Sequence, residues 1–298
     1  MQPFSPDDEV VIMAECRKHQ AEHGRGNKKT GCVLVEPYPY IVKYGDPETL
    51  ASYIVTQSFL YSQSNKLRIP KLIHQFDNGQ GTSYVVLEHI KLVESPDDLD
   101  ERIVDAVKWL LGVQAPSDHQ LGPLGGGCIR HAFFESSEAP LPFVNVTALQ
   151  RYVDKGRTRL INSGKSFDRV KLTEERLVCV QARLDASHFG VDEEDNTVLM
   201  GLGNISFLPE SFATYTLLSS AKFVTLPKTL GLSGDTNMKA MVAIAHNLGM
   251  TSDPSLGASI YLYLRWRERF RLTFVILGLD KYGRTPNKGT KVTASDDL

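Results

Sequence analysis

Gln181–Pro209 reads QARLDASHFGVDEEDNTVLMGLGNISFLP, and this stretch decides the fold. It divides into a loop, a short hairpin around the acidic turn Asp192-Glu193-Glu194-Asp195, and a second loop bracketed by Gly201 and Gly203. Three of its residues, Arg183, His188 and Gly201, decide which chemistry the stretch can carry.

The 298 residues suffice for one large lobe or two smaller ones around a sizeable core. Hydrophobic residues make up 42% and charged residues 23%, an ordinary globular balance. A formal charge of −2 argues against a nucleic-acid or membrane-surface role driven by bulk electrostatics. No apolar run reaches the ~20 residues of a membrane span. No cationic segment followed by an apolar one opens the chain, so a cytoplasmic location is expected. Cys16, Cys32, Cys128 and Cys179 are scattered without a CxxC pair, which gives neither a zinc site nor a disulfide framework.

Outward from the central stretch, the pattern predicts a small strand-rich lobe followed by a helical one. Residues 7–23 read as a helix, and the polar run from His23 to Gly31 as a mobile loop. Cys32–Val35, Tyr40–Tyr44, Lys71–Gln75 and Tyr84–Glu88 read as strands, with a helix from Pro47 to Ser62 between them. Beyond Pro96 the apolar residues recur at helical spacing over Asp98–Gln114 and Val146–Lys155, and later over Phe212–Leu218, Asn237–Asn247 and Ala258–Leu277. The tail after Asp280 is polar and predicts disorder. The expected division is 1–92 as a β-rich lobe with a leading helix, 93–279 as a helical lobe, and 280–298 as a tail. The fold class is α+β.

Several segments in this order resemble the aminoglycoside phosphotransferase and choline kinase branch of the protein-kinase-like fold, and its fungal members in particular. Tyr40-Ile41-Val42-Lys43-Tyr44-Gly45 resembles the strand that carries the phosphate lysine. Ile69-Pro70-Lys71-Leu72 and Tyr84 to Ile90 resemble the strands leading to the adenine hinge, which implicates Glu88 and Ile90. Leu121 to Gly127 is similar to a glycine-rich stretch of the helical lobe, and Asn237 through Gly257 to the closing helices. The resemblance covers roughly Gly31 to Gly257 and implies a bilobal fold.

A core of this kind uses a catalytic-loop Asp, an Asn five positions on, and a metal-loop Asp about 18 to 20 positions after the first. With Arg183 at the first position, His188 stands at the second and Gly201 at the third, 18 residues on. The rival register, with Asp185 as base, puts Gly190 at the second position and misses the metal loop. The departures are not conservative. Arginine accepts no proton, glycine offers no ligand atom, and imidazole suits zinc or copper better than magnesium. Losing a positioned base alone lowers a rate about 10²- to 10⁴-fold. The three changes leave the site more positive, able to hold an anion directly.

The resemblance therefore implies a pseudokinase: a binding or regulatory module, or a cleft put to other chemistry, in the setting of fungal secondary metabolism. Neither ATP nor magnesium is then expected as a cofactor, and no metal site, since His188 and Gly201 fill the metal positions. The alternative is an ATP- and magnesium-dependent small-molecule O-phosphotransferase with Asp185 as base and the acidic turn as metal support. The expected partner is a small molecule or a protein, not nucleic acid and not a membrane.

Individual residues keep two readings. Lys43 is a phosphate lysine or a solvated strand lysine. Glu48, the only acid available on the following helix, is its partner or a carboxylate placed by the helix dipole. Arg183 holds an anion or, the favoured reading, pairs with Asp185 or the acidic turn. That turn reads as a solvated hairpin. Gly125-Gly126-Gly127 lacks the following Lys-Ser/Thr of a phosphate loop and reads as a flexible loop near the cleft mouth. Arg265 to Arg271, basic with interleaved aromatics, reads as an amphipathic helix face.

Overall fold

The computed structural model describes residues 4–24, 30–36, 39–64, 67–94, 96–134, 137–162, 164, 167–185 and 187–248. The centre of the predicted mobile loop, the helix expected at Ala258–Leu277, the basic segment Arg265 to Arg271 and the tail lie outside these residues.

Helix α1 (Pro6–His23) starts where Ser5 and Asp8 cap each other's backbone N–H reciprocally, with Pro6 in the first turn. Strands β1 (Thr30–Val35) and β2 (Tyr40–Gly45) form a hairpin, and helix α2 (Pro47–Gln63) follows. Asp46 caps α2, accepting from Thr49 N at 2.9 Å and Thr49 Oγ1 at 2.7 Å. Strands β3 (Leu72–Asp77) and β4 (Ser83–Glu88) complete an antiparallel sheet in the order β1-β2-β4-β3.

The alternation of side chains along these strands separates two faces. Val42, Tyr44, Tyr84 and Val86 form a small core with Ile12 and Cys16 of α1. Burial pushes the Cys16 thiol up to about 12, with Cys32 and Glu15 adding to the shift. The opposite face carries Val85 and Leu87, which join Leu50, Tyr53 and Leu60 of α2 in the main core. By the same alternation Lys43 and its cross-strand neighbour Cys32 belong to this second face. The register of β2 thus puts Lys43 toward the rest of the molecule and Val42 beneath α1.

The second half is helical around short strand pairs. Helices α3 (Leu99–Gly112) and α4 (Val146–Asn162) precede β5 (Leu177–Gln181), the hairpin of β6 (Phe189–Val191) and β7 (Thr197–Leu199), and β8 (Ile205–Pro209), which pairs antiparallel with β5. Helices α5 (Glu210–Leu218), α6 (Leu226–Thr229) and α7 (Met238–Leu248) close it. Helix α4 runs seven residues past its expected end at Lys155, burying Gly156 and Leu160. Phe133, Phe134 and Phe212 pack mutually, with ring centroids 5.2 to 6.3 Å apart. The fold is α+β, a four-stranded N-terminal sheet followed by a helical region.

Backbone bonds join the two halves. Arg68 N donates to Thr197 O at 2.8 Å, and Leu199 N to Arg68 O at 2.9 Å. Val93 N donates to Val191 O at 2.9 Å. The β6–β7 hairpin is thereby held against both the approach to β3 and the segment after β4. Among the described residues no helix is long and apolar enough to cross a membrane.

Candidate functional site

Where the N-terminal sheet meets the helical half, a cavity of about 360 Å³ opens. Five of the sequence-selected residues line it: Lys43, Glu88, Ile90, His188 and Gly201. Arg183 and Asp185 do not, and Glu48 lines a second, adjoining cavity of about 440 Å³. Thr49, Tyr53, Arg130 and Gly203 border both cavities.

Lys43 Nζ lies 4.9 Å from the centre of the Tyr53 ring, a cation–π contact, and has no ion-pair partner among the described residues. It makes no pair with Glu48, which is exposed one turn N-terminal to the Tyr53 level on α2. The aromatic ring stands where the sequence offered only a carboxylate. Burial raises the Tyr53 hydroxyl well above its ordinary value, keeping it a neutral donor. Cys32 lines the same wall as an exposed free thiol.

Glu88 is engaged away from Lys43. It pairs with the Arg68 guanidinium and accepts from Lys71 N at 3.1 Å. Glu88 is the only carboxylate among the described residues that line the first cavity, so Lys43 faces that space without a free counter-charge. Arg130 donates to Gly203 O at 3.3 Å and lies 3.6 Å from Glu138.

Below Lys43, His188 is 8% exposed and fully engaged. Its Nδ1 is 2.8 Å from Ser187 Oγ and 3.1 Å from Asp185 Oδ1, and its Nε2 is 2.9 Å from Asn204 Nδ2. The carboxylate only accepts and the Asn204 amide nitrogen only donates, so Nδ1 carries the proton and Nε2 accepts. Hydrogen bonding from Ser187, then from His188, holds the Asp185 carboxyl below its ordinary value although burial opposes it.

Gly201 has φ +63° and sits directly under that imidazole. A Cβ built at 201 falls 1.8 Å from His188 Cδ2 and 2.7 Å from His188 Nε2. The histidine ring thus fills the volume that any side chain at 201 needs.

Two pairings expected from sequence take another form. Arg183 is exposed and makes no ion pair among the described residues, and its backbone N–H points to Gln181 Oε1 at 3.4 Å. The partner of the acidic turn is Arg102 of α3, whose guanidinium meets Asp195 at 2.7 Å and Asp98 at 2.8 Å. Nor is the turn wholly solvated. Asp192 is 7% exposed and accepts from Glu194 N at 3.0 Å and Asn196 N at 2.8 Å, which holds the turn closed. Of the triple glycine only Gly125 is packed, since a Cβ there would meet Ser52 Cα of α2 at 2.4 Å; Gly126 and Gly127 have open space around them and line the second cavity.

No family model matches the chain, and no curated protein matches it. Among solved structures it is similar to a putative fructosamine-3-kinase from Haemophilus somnus 129PT, at 11% identity over 73% of this chain and 77% of that one, with a TM-score of 0.46. It is also similar to the GDP complex of wild-type aminoglycoside 2'-phosphotransferase-IIIa, at 11% identity over 80% of this chain and 88% of that one, TM-score 0.49. A third is an aminoglycoside-3'-phosphotransferase of type VIII, at 13% identity over 78% of this chain and 98% of that one, TM-score 0.43.

Proposed function

We propose that the cleft binds a small anion directly, between Lys43 and Arg130, and that the protein is a phosphotransferase-like binding module without magnesium-dependent phosphoryl transfer. The observation that carries this reading is the interlock of His188 with Gly201. The two positions the resemblance assigns to metal ligands hold an imidazole with both nitrogens already bonded and a glycine whose side-chain space is taken. Magnesium demands oxygen ligands in near-octahedral array, so these residues do not fit it. Among the described residues that line this cavity, Lys43 has no counter-charge, Arg130 has its carboxylate partner Glu138 3.6 Å away on the adjoining cavity, and Glu88 is already paired with Arg68. That balance favours an anion with no metal bridge.

The rival, an ATP-dependent O-phosphotransferase using Asp185 as base, has less support. Asp185 lies off the wall of both cavities, with its carboxylate bonded to Ser187 and His188. Its depressed pKa also makes it a weaker proton acceptor.

Calorimetric titration with pyrophosphate tests the proposal. Binding is expected with EDTA present, at an affinity that magnesium does not raise. Lys43→Met and Arg130→Met are each expected to weaken it about tenfold or more, the loss of one charge-assisted contact. Magnesium-dependent turnover of ATP by the purified protein, abolished by Lys43→Met, would overturn the reading.

A further inference from the structure

The second cavity has features that the anion reading leaves unused. It is the larger of the two, about 440 Å³, and it shares Tyr53, Arg130 and Gly203 with the first, so the two are neighbouring chambers meeting at Arg130. A Cβ at Gly203 would lie 3.2 Å from Arg130 Nη1 and 3.5 Å from Tyr53 Cδ2. The absence of a side chain there keeps the junction narrow but unfilled.

Two buried hydroxyl side chains line the second chamber without a hydrogen-bond partner. Ser206 of β8 is 3% exposed and Tyr53 of α2 is 7% exposed. Neither hydroxyl bonds to any described residue. Among the described side chains only Thr214 Oγ1 is both fully enclosed and unpartnered. The Ser206 and Tyr53 hydroxyls are therefore open to the space they border. Buried hydroxyls are ordinarily satisfied, and one left unmade costs about 1–3 kcal/mol. Such a pair facing a cavity asks for a polar occupant, water or ligand.

The rest of the wall specifies its character. Glu48, which has no partner among the described residues, and Glu138 supply acceptors, and Thr49 and Ser52 border the same space. An anionic body is repelled there and an apolar one leaves the hydroxyls unpaired. A body bearing several hydroxyls satisfies donors and acceptors together.

We infer that the two chambers form one site for a phosphorylated polyol, with its phosphate at Lys43 and Arg130 and its hydroxylated chain in the second chamber against Ser206, Tyr53 and Glu48. The phosphate half of this inference rests on the anion reading above; the polyol half stands on the second chamber alone.

The test compares four probes on the full chain by calorimetry: inorganic phosphate, n-butyl phosphate, sorbitol 6-phosphate and sorbitol. Sorbitol 6-phosphate is expected to bind at least tenfold more tightly than n-butyl phosphate. Ser206→Ala and Tyr53→Phe are each expected to pull that ratio towards one, since each removes a hydroxyl and keeps the surrounding shape. Equal affinities for the two phosphate esters overturn the inference, whether or not phosphate binds. If phosphate and both esters fail to bind, the anion reading falls and the joint site with it. Sorbitol binding that Ser206→Ala weakens then preserves only a neutral polyol chamber.

Discussion

Gly201→Asp, which writes a carboxylate back into the loop where the resemblance expects one, is expected to destabilise the protein by about 2–4 kcal/mol and to restore no phosphoryl transfer. The new Cβ would lie 1.8 Å from His188 Cδ2, so the imidazole must leave its place. Overpacking of this kind costs about 1–3 kcal/mol. The displaced ring also abandons Asn204 and the Ser187–Asp185 pair, at about 0.5–1.5 kcal/mol for each hydrogen bond. The backbone at φ +63° adds little, because Asp is among the residues that tolerate this region. Urea unfolding of the wild type, Gly201→Asp, His188→Ala and the double variant makes a double-mutant cycle. The expected coupling is favourable: once His188 is truncated, Asp at 201 is tolerated. A Gly201→Asp protein as stable as the wild type would show that the interlock is not there.

That interlock also marks where the sequence stops being readable. The strands and helices were legible because their cause is local. Lys43 could be put on a strand from the run Tyr40, Ile41, Val42 and Tyr44 of β-branched and aromatic residues after the turn at Pro37 and Pro39, and the pairing of β2 with its neighbours then fixes its face. The start of α2 could be read from Pro47, and Asp46 caps it. His188 and Gly201 could be picked out by spacing alone, yet nothing in their types says that one fills the other's volume. That contact arises because the β6–β7 hairpin folds the chain back, bringing Met200 N to His188 O at 2.7 Å.

Arg130 was not legible at all. It lies in the loop-rich stretch between α3 and α4, where no period distinguishes one residue from another. Its position depends on a nonlocal pairing: Gly122 and Phe207 exchange backbone hydrogen bonds at 2.8 and 2.9 Å, which draws the stretch against β8 and the cleft. The choice of ion-pair partners failed for the same reason. Arg183 is near the acidic turn in sequence, but Arg102 of α3 is near it in space.

Acid lability centred on His131 is the other large effect. His131 is 1% exposed. Its Nε2 is 3.0 Å from Phe212 O and 2.8 Å from Thr216 Oγ1, and its Nδ1 accepts from Phe133 N at 3.0 Å. A carbonyl only accepts, so Nε2 holds the proton and the ring is neutral. Charging it requires a proton at Nδ1, directly facing the Phe133 N–H. Burial lowers its pKa from 6.5 to about 4, with the Phe212 carbonyl opposing the shift. The unfolded chain therefore binds a proton that the folded chain refuses. Stability is complete above pH 6.5, falls as the pH drops, and is lost by about pH 4, a change on the order of 3 kcal/mol. Glu175, whose carboxyl is raised by burial, works in the opposite sense: its stabilisation grows as the pH falls. The raw pH profile mixes both groups, so the difference between wild type and His131→Gln is the quantity to measure. The wild type's advantage over the variant is expected to shrink by that amount between pH 7 and pH 4. Parallel curves across this range would mean that the imidazole is charged in the fold, and that the Phe133 N–H has turned away from it.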